Sequence, residues 1–327
     1  MLVLNNLPEK ILVTGGAGFI GSHICRYLLN NYKAKVICLD NLSNGWPGNI
    51  MDLEANPNFE LAVVDITDIK RLKANVEGCD WVFHQAAVGS VPRSFTAPLY
   101  THGANSTGFL NLLECIRSSS VSKLVYASSS SVYGDSPTLP KVESQTGKLL
   151  SPYAITKFTN EAFARTLLAG TSVQHVGLRY FNVFGPNQNP NGPYAAVIPK
   201  FIQAALLGNA MEIYGDGNQS RDFTYVQNVV HANIHSATVS LELGTPYILN
   251  IGCGERITIL ELAKSIERHF GLRNTISHVP ERNGDIRDSL ADITLARQTI
   301  QYNPAVSVLN GLDIALSWYQ QHPNFFG

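Results

Sequence analysis

The chain has 327 residues, 45% of them hydrophobic and 15% charged, and its formal net charge is −1. This length and apolar content allow one large domain or about two smaller ones, and the near-zero charge without a lysine- and arginine-rich cluster excludes a surface for polymeric nucleic acid. The chain starts with MLVLNNLPEK, which lacks the regions of a signal peptide. No apolar run approaches the ~20 residues of a membrane-spanning helix, so we expect a cytosolic protein without membrane contact.

The cysteines and histidines do not indicate a metal site. The five cysteines are odd in number and scattered without a C-x-x-C pair, and the nine histidines include no H-E-x-x-H motif. Neither zinc nor a disulfide framework is therefore expected. We interpret the cysteines as small buried hydrophobic residues.

Six short apolar runs alternate with longer helical patterns through the first half of the chain. Runs of this length, rich in Val, Ile and Leu, are typical of strands covered on both faces. Their alternation with helices predicts an α/β fold, a Rossmann-like, doubly wound parallel sheet with a smaller α/β lobe. The predicted strands are KILVTG, AKVICLD, FELAVVD, DWVFHQ, KLVYAS and QHVGLRY.

The pattern changes near Asn182, where the loop FGPNQNPNGPYAA is rich in Pro, Gly and Asn. We therefore predict a nucleotide-binding domain over residues 1–181 and a mainly substrate-binding lobe over residues 182–327. Residues from about 223 to 252 are expected to pack back onto the first domain. Ligands of an open parallel sheet lie beyond the carboxyl ends of its strands, so the residues that follow each strand are the candidates for a site.

The first strand runs directly into TGGAGFIGSH, which places Gly15, Gly18 and Gly21 at the start of a helix. Such glycines allow a tight turn and a close approach of the backbone to a pyrophosphate, which the free amides at the helix start bind. The second strand ends in Asp40, whose carboxylate would accept from both ribose hydroxyls and repel a 2′-phosphate. The pattern favours NAD over NADP. The alternative is a glycine turn around a packed helix and a surface aspartate.

Asp65 and Ile66 follow the third strand. The carboxylate of Asp65 suits the adenine amino group, and it equally suits the N-cap of a helix over TDIKRLKANV. The residues alone leave both interpretations open.

The fifth strand ends in four consecutive serines, Ser128 to Ser131, and a predicted helix further on carries Tyr153 and Lys157 one turn apart. A phenol with a pKa near 10 is a poor base at neutral pH, but an ammonium group and a nicotinamide cation both stabilise the phenolate. A serine hydroxyl can orient a substrate alcohol. Together these residues predict oxidation of a secondary alcohol by hydride transfer to NAD.

Along nearly its whole length the chain resembles the extended short-chain dehydrogenase/reductase family, through TGGAGFIGSH, SSSSVYG, YAITK, RYFNVFGP and YGDGNQSRDF. Within that family it is similar to nucleotide-sugar 4-epimerases that act on UDP-N-acetylhexosamines, through AAVGSVPRS and GDIRDSLAD. The resemblance implies that Ser129 is the catalytic hydroxyl, Tyr153 the base and Lys157 its partner.

The resemblance also implies a set of binding residues. Cofactor-binding positions are Gly15, Gly18, Phe19, Ile20, Gly21, Asp40, Asn41, Asp65, Ile66, Gln85, Ala86, Ala87, Tyr153 and Lys157. Substrate-binding positions are Gly89, Ser90, Ser129, Ser130, Tyr153, Asn182, Gln188, Val197, Tyr214, Arg221, Arg282 and Ser289. Arg221 and Arg282 match the arginines that hold the diphosphate, a task that suits a permanently charged, forked donor. Tyr214 has packing as its alternative role.

One departure from related dehydratases bears on the reaction. Those enzymes carry Asp-Glu after the catalytic threonine, whereas this chain has Ser130 and Ser131 after Ser129. Elimination is therefore unsupported, and the expected cycle is oxidation at C4, rotation of the 4-keto sugar and return of the hydride, with NAD restored at each turn. Alternatives are a UDP-glucuronate 4-epimerase or decarboxylase, and a noncatalytic NAD-binding sensor, which would be expected to have lost the tyrosine or the lysine.

Ser289 is the residue that bears on the choice of sugar. In similar epimerases this position borders the sugar pocket, and a serine there leaves room for an N-acetyl group at C2. The alternative is that Ser289 caps the helix predicted over ADITLARQTI.

The resemblance further implies a homodimer. Helices around Thr101–Ser118 and Pro152–Leu168 are similar to those that pair across a two-fold axis in this family. Buried packing within one chain is the alternative for the apolar residues expected at that interface, which are Phe109, Leu112, Leu113, Ala162 and Phe163.

Overall fold

The computed structural model describes residues 7–190, 195–273, 275–281 and 287–326. Its centre is a sheet of seven parallel strands: β1 (Lys10–Thr14), β2 (Lys35–Asp40), β3 (Phe59–Val63), β4 (Trp81–His84), β5 (Lys123–Ser129), β6 (Gln174–Tyr180) and β11 (Pro246–Ile251). Their order across the sheet is β11-β6-β5-β4-β1-β2-β3. All six predicted strands are confirmed, and so is the doubly wound α/β class.

Helices cover both faces of the sheet. The helices are α1 (Phe19–Asn31), α2 (Ile69–Val76), α3 (Val91–Thr96), α4 (Pro98–His102), α5 (Gly108–Arg117), α6 (Pro152–Leu167), α7 (Val197–Leu206), α8 (Val226–Thr238), α9 (Ile259–Phe270), α10 (Thr294–Ile300) and α11 (Val308–Gln321). One face of the sheet packs against α1, α8 and α10, and the other against α2, α5 and α6. A π-helical turn, Gly103–Thr107, joins α4 to α5.

The seventh strand comes from the second half of the chain. After α8 packs on the sheet, β11 pairs in parallel with β6, with Ile251 opposite Tyr180. Residues 226–251 therefore lie on the sheet domain, although they follow the change of pattern at Asn182. This return places the loop after β11 beside the carboxyl ends of the other strands.

The remaining elements form a smaller lobe around a separate apolar core. Phe201 of α7, Leu262 of α9 and Leu316 of α11 are buried in that core together with Ile213. The strands here are short and paired: β7 (Val183–Phe184) with β10 (Thr224–Tyr225), β9 (Ser220–Arg221) with β12 (Ile257–Thr258), and β8 (Met211–Tyr214) with β13 (Ile276–Val279).

Three of the five residues predicted for a dimer interface lie instead in the core. Phe109, Leu112 and Leu113 are fully buried between α5 and the sheet, so they cannot reach a second subunit. The apolar stripe of α5 faces its own sheet because the strands offer it a continuous apolar surface. Ala162 is exposed and Phe163 is partly buried on α6.

Four of the five cysteines are buried and Cys253 is partly buried, as predicted. His231 and His235 lie one turn apart on α8, so an expectation of no H-x-x-x-H spacing in the chain is wrong. Nε2 of His231 lies 3.2 Å from Nε2 of Gln227, and Nδ1 of His235 lies 3.0 Å from the carbonyl of Ile300. Both rings thus have protein partners. In the described parts of the chain, no helix is long and apolar enough to cross a membrane.

Candidate active site

The parallel register brings three strand ends to one edge of the sheet. Thr14, the last residue of β1, lies opposite Leu39 of β2 and His84 of β4. Gly15 has φ of +68°, and a Cβ there would lie 2.5 Å from the amide nitrogen of Ala86. Only glycine fits both the positive φ and this close approach.

The turn leads into the amino terminus of α1. Gly18 is the N-cap residue and gives no side-chain cap, so the amides of the first turn, from Phe19 onward, stay available to an anion. A Cβ at Gly21 would collide with the carbonyl of Gly15, which shows how closely the helix packs on the turn. These amides face the cavity that the turn lines, an arrangement that fits the diphosphate of a dinucleotide.

Asp40 lies at the end of β2 with its carboxylate against the glycine turn. The oxygens accept from the backbone amides of Ala17 at 3.0 Å and Leu42 at 2.8 Å. Burial raises the pKa of this carboxyl, and the two amides lower it. Asp40 therefore both stabilises the turn and lines the cavity in front of it.

Asp65 does not cap the helix that follows it. The N-cap of α2 is Asp68, which accepts from the amide of Arg71 at 3.2 Å. Asp65 instead accepts from Asn41 Nδ2 at 2.7 Å and from Thr67, and its carboxyl has a lowered pKa because these hydrogen bonds outweigh burial. The capping interpretation is wrong, and Asp65 lines the same cavity as Asp40.

The catalytic candidates converge from β5 and α6. Ser129 ends β5, and its hydroxyl accepts from the amide of Ser131 at 3.1 Å. Helix α6 begins where Ser151 caps it and Pro152 occupies its first turn, so Tyr153 lies at its start. Burial raises the pKa of the Tyr153 phenol, and the neighbouring Ser129 side chain opposes that shift.

Lys157 lies one turn beyond Tyr153 and is buried. Its Nζ donates to the carbonyl of Ala127 at 2.8 Å and lies 6.0 Å from the centroid of the Tyr153 ring. Burial lowers the pKa of Lys157 to about 8, and the carboxylate of Glu161 opposes that shift. The group is therefore still mostly protonated at neutral pH, as a partner for a phenolate requires.

A cavity of about 900 Å³ joins these groups to most of the predicted binding residues. Asn182 and Arg221 line both this cavity and a second one of about 520 Å³, which Val197 and Tyr214 also line. The predicted residues that line the larger cavity are Gly15, Gly18, Phe19, Ile20, Gly21, Asp40, Asn41, Asp65, Ile66, Gln85, Ala86, Ala87, Gly89, Ser129, Ser130, Tyr153, Lys157, Asn182, Gln188, Arg221 and Ser289.

Two predicted residues are not placed in a cavity wall. The hydroxyl of Ser90 accepts from the amide of Arg93 at 3.1 Å and caps α3. Arg282 lies outside the described residues. Of the two predicted diphosphate arginines, the structure therefore describes Arg221 alone.

Two polar side chains of the lobe border the larger cavity. Gln188 donates from Nε2 to the carbonyl of Val183 at 3.1 Å, while its buried Oε1 has no hydrogen-bond partner among the residues that the structure describes. Ser289 is anchored through its amide, which donates to the carbonyl of Ser220 at 3.1 Å. The capping interpretation of Ser289 is wrong because α10 starts only at Thr294.

Two polar residues behind the site are not among the predicted ones. Asn105, in the π-helical turn, accepts from the amide of Val88 at 2.7 Å and donates to Thr156 Oγ1 at 3.1 Å, so it ties the loop after β4 to α6. Glu161 is buried one turn beyond Lys157. The four-residue spacing from Lys157 could have indicated Glu161, but nothing local in the sequence marks Asn105.

Proton transfer through a Tyr–Lys pair, next to a dinucleotide cradle on a Rossmann-like sheet, defines the short-chain dehydrogenase/reductase class. Residues 11–252 match the model of the NAD dependent epimerase/dehydratase family. The chain belongs to this family, which confirms the resemblance seen in its motifs. It is thus an NAD-dependent enzyme of the epimerase class, and the cradle at Gly15 and Asp40 is the part of this chain that fits NAD.

Three related proteins are similar over almost the full chain. The UDP-N-acetylglucosamine 4-epimerase of Methanobrevibacter ruminantium M1, solved with UDP-N-acetylmuramic acid, is 37% identical with a TM-score of 0.90, and the match covers 96% of this chain and 99% of that one. The UDP-glucuronic acid 4-epimerase of Bacillus cereus, solved with UDP-glucuronic acid and NAD, is 31% identical with a TM-score of 0.88 and the same coverage. The UDP-glucose 4-epimerase of Mycolicibacterium smegmatis is 33% identical over 95% of this chain and 98% of its own.

Proposed function

We propose that this protein is an NAD-dependent 4-epimerase of UDP-N-acetylhexosamines that interconverts UDP-N-acetylglucosamine and UDP-N-acetylgalactosamine, with UDP-glucose and UDP-galactose as further substrates. The observation that carries this proposal is that Ser129, Tyr153 and Lys157 line the same cavity as the dinucleotide cradle. A noncatalytic NAD-binding sensor does not require a serine, a tyrosine and a lysine in the cavity of the cofactor.

The side chains divide the proton chemistry among them. Ser129 orients the C4 hydroxyl of the sugar, and Tyr153 takes its proton when the alcohol is oxidised and returns it when the ketone is reduced. Lys157 stabilises the phenolate, because an ammonium one turn away favours the charged form. Bound NAD supplies a hydride acceptor that is restored at the end of each cycle.

The residues after Ser129 support epimerisation over elimination. Ser130 and Ser131 form a turn at the cavity wall, where a dehydratase needs an acid and a base. The acidic residues that line the cavity in the described parts of the chain are Asp40 and Asp65 at the nucleotide end and Asp288 in the lobe. Asp288 accepts from the hydroxyl of Ser220 and is already engaged.

The second cavity suits the UDP moiety. It opens from the first at Asn182 and Arg221, and its wall includes Lys200 and Tyr214. A guanidinium between the two cavities is suited to a diphosphate that joins a sugar to a nucleoside. This arrangement supports the division into a nucleotide-binding domain and a substrate-binding lobe. The cytosolic location of the protein stays a prediction.

The preferred sugar is the part of the proposal that depends on Ser289. A small side chain at this point of the wall leaves space for a substituent at C2, and the relative solved from M. ruminantium is a UDP-N-acetylglucosamine 4-epimerase. The second candidate is a UDP-glucuronate 4-epimerase, which the relative solved with UDP-glucuronic acid supports.

A panel of UDP-sugars tests the proposed function. Purified protein is incubated separately with the N-acetylated, plain and glucuronate forms, and the products are resolved by anion-exchange chromatography. The proposal predicts an equilibrium mixture of UDP-N-acetylglucosamine and UDP-N-acetylgalactosamine from either one. Turnover of UDP-glucuronate alone would support the second candidate. Turnover of none of the UDP-sugars would contradict the proposal and support a noncatalytic NAD-binding sensor.

We also infer a homodimer, formed through the outer face of α3, α4 and α6. This face exposes large apolar side chains, with Leu99 86% exposed and Phe95 60% exposed, beside Ile155 and Phe158 of α6. A second copy of the chain covers such a patch with a matching one, as a two-fold interface requires. Ala162, on the same helix, is the predicted interface residue that remains exposed.

Phe158→Glu is expected to convert a dimer into a monomer, because a carboxylate in the middle of an apolar interface loses its hydration without a partner. Light scattering at micromolar concentration measures the mass of both proteins. Leu207→Glu is the matched control, since Leu207 is 61% exposed in the other lobe and its variant is expected to stay dimeric. A monomeric mass for the unaltered protein would contradict the dimer.

A further inference from the structure

The face of α6 that carries Tyr153 and Lys157 continues to Glu161, at the same spacing of four residues. Glu161 forms a two-point ion pair with Arg179 of β6, with Arg179 Nε 2.9 Å from Oε1 and Nη2 2.8 Å from Oε2. The side chains are only 3% and 4% exposed. A fully buried charge pair therefore lies directly behind the catalytic helix.

The same carboxylate reaches the strand that carries the catalytic serine. The hydroxyl of Ser128 donates to Glu161 Oε1 at 2.5 Å, and Ser128 immediately precedes Ser129. On its far side Arg179 donates to the carbonyl of Glu143 at 3.0 Å and lies 5.0 Å from the centroid of the Tyr133 ring. One carboxylate thus joins α6, β5 and β6 beneath the site.

Stability alone does not explain this arrangement. Removing two charges from water is costly, and packed apolar residues commonly replace a buried ion pair without loss of stability. A charge is useful here because Lys157 is also buried, and a negative group one turn away offsets the burial that disfavours its ammonium. The carboxylate can therefore act on the reaction through Lys157.

Among the residues that the structure describes, the other groups packed around Lys157 are uncharged. Burial lowers the pKa of His84, on β4, to about 3 and raises that of Tyr126, on β5, so both are neutral in the working range. The π-helical turn contributes Asn105 to this side of α6. On α6 itself, Arg165 is exposed at the surface. Lys157 thus has Glu161 as its negative partner, with Arg179 behind it.

We propose that Glu161 is a positioning residue, which holds the end of β5 against α6 through Ser128 and keeps a negative charge behind the Lys157 ammonium so that Tyr153 ionises in place of the lysine. This inference rests on the proposed roles of Tyr153 and Lys157. It assigns Glu161 no contact with substrate or cofactor.

The ionisation of Tyr153 tests the charge. Glu161→Gln alone leaves Arg179 buried and unpaired, so the variant of choice is Glu161→Gln with Arg179→Gln, which removes both charges and keeps an acceptor for Ser128. Absorbance at 295 nm is followed against pH, and the same background with Tyr153→Phe is subtracted. Without the carboxylate Lys157 releases its proton more readily, so the Tyr153 phenolate is expected to form about one pH unit higher.

Glu143→Gln is the matched control. Glu143 belongs to the same network because its carbonyl accepts from Arg179, and it lies on the far side of that arginine. Its carboxylate accepts from the amide of Asn250 at 2.8 Å. The control is expected to leave the Tyr153 titration unchanged. A folded charge-free variant with the titration of the unaltered protein would overturn the proposal, because a scaffolding role alone changes the melting temperature and not the pKa of Tyr153.

Ser128→Ala tests the positioning role even if the charge-free variant fails to fold, because it leaves the ion pair intact. With β5 no longer tied to α6, kcat for a UDP-sugar that the protein turns over is expected to fall about 10-fold while KM stays unchanged. An unaltered kcat would overturn the positioning role. The titration needs no substrate, so a failure of the proposed function is distinguishable from a failure of this inference.

Discussion

Tyr153→Phe is expected to lower kcat by roughly 10²–10⁴-fold while the fold and the affinity for NAD are retained. The phenol is partly buried and lines the cavity together with Ser129, where it is the proposed acceptor of the C4 proton. The phenylalanine fills the same space, so only the proton acceptor is lost. Initial rates at saturating UDP-sugar, together with a titration of NAD binding, measure both effects.

Tyr302→Phe provides the matched control for this variant. The Tyr302 hydroxyl is also buried and donates to the carbonyl of Gly252 at 2.8 Å, but it lines neither cavity. Its loss is expected to lower stability by about 1 kcal/mol and to leave kcat unchanged. Near-normal turnover by the Tyr153 variant would rule out the proposed base.

Ser289→Tyr is expected to lower kcat/KM for UDP-N-acetylglucosamine by roughly 10- to 200-fold relative to UDP-glucose. Ser289 lies at the cavity wall, and its amide is held by the carbonyl of Ser220, so the backbone cannot easily move away from a larger side chain. A phenol ring at this position occupies the space needed by the substituent at C2. Exclusion by bulk acts against one substrate and spares the other.

Measuring kcat/KM for both sugar pairs separates this effect from general damage. Equal losses on the N-acetylated and the plain substrates would mean that Ser289 does not border the C2 substituent, and the preference for N-acetylhexosamines would then be without a structural basis. Ser289→Ala is the control, since it removes the hydroxyl and adds no bulk, and it is expected to keep the ratio of the two values unchanged.

Local chemistry in the sequence was sufficient for the sheet and for the central part of the site. Strands buried on both faces require short runs such as KILVTG, and the positive φ of Gly15 requires a glycine. The four-residue spacing of Tyr153 and Lys157 places both on one face of any helix. These features depend on residues a few positions apart, so they can be read along the chain.

The tertiary structure decided everything that depends on contacts between distant segments. The apolar stripe of α5 is as suitable for a second subunit as for the sheet, and only the packing shows that Phe109 is internal. Ser289 joins the site because its backbone pairs with Ser220, 69 residues earlier, and Glu161 acquires its partner Arg179 from a neighbouring strand. Each of these pairings forms when separate elements pack together, a condition that no local pattern of residue types contains.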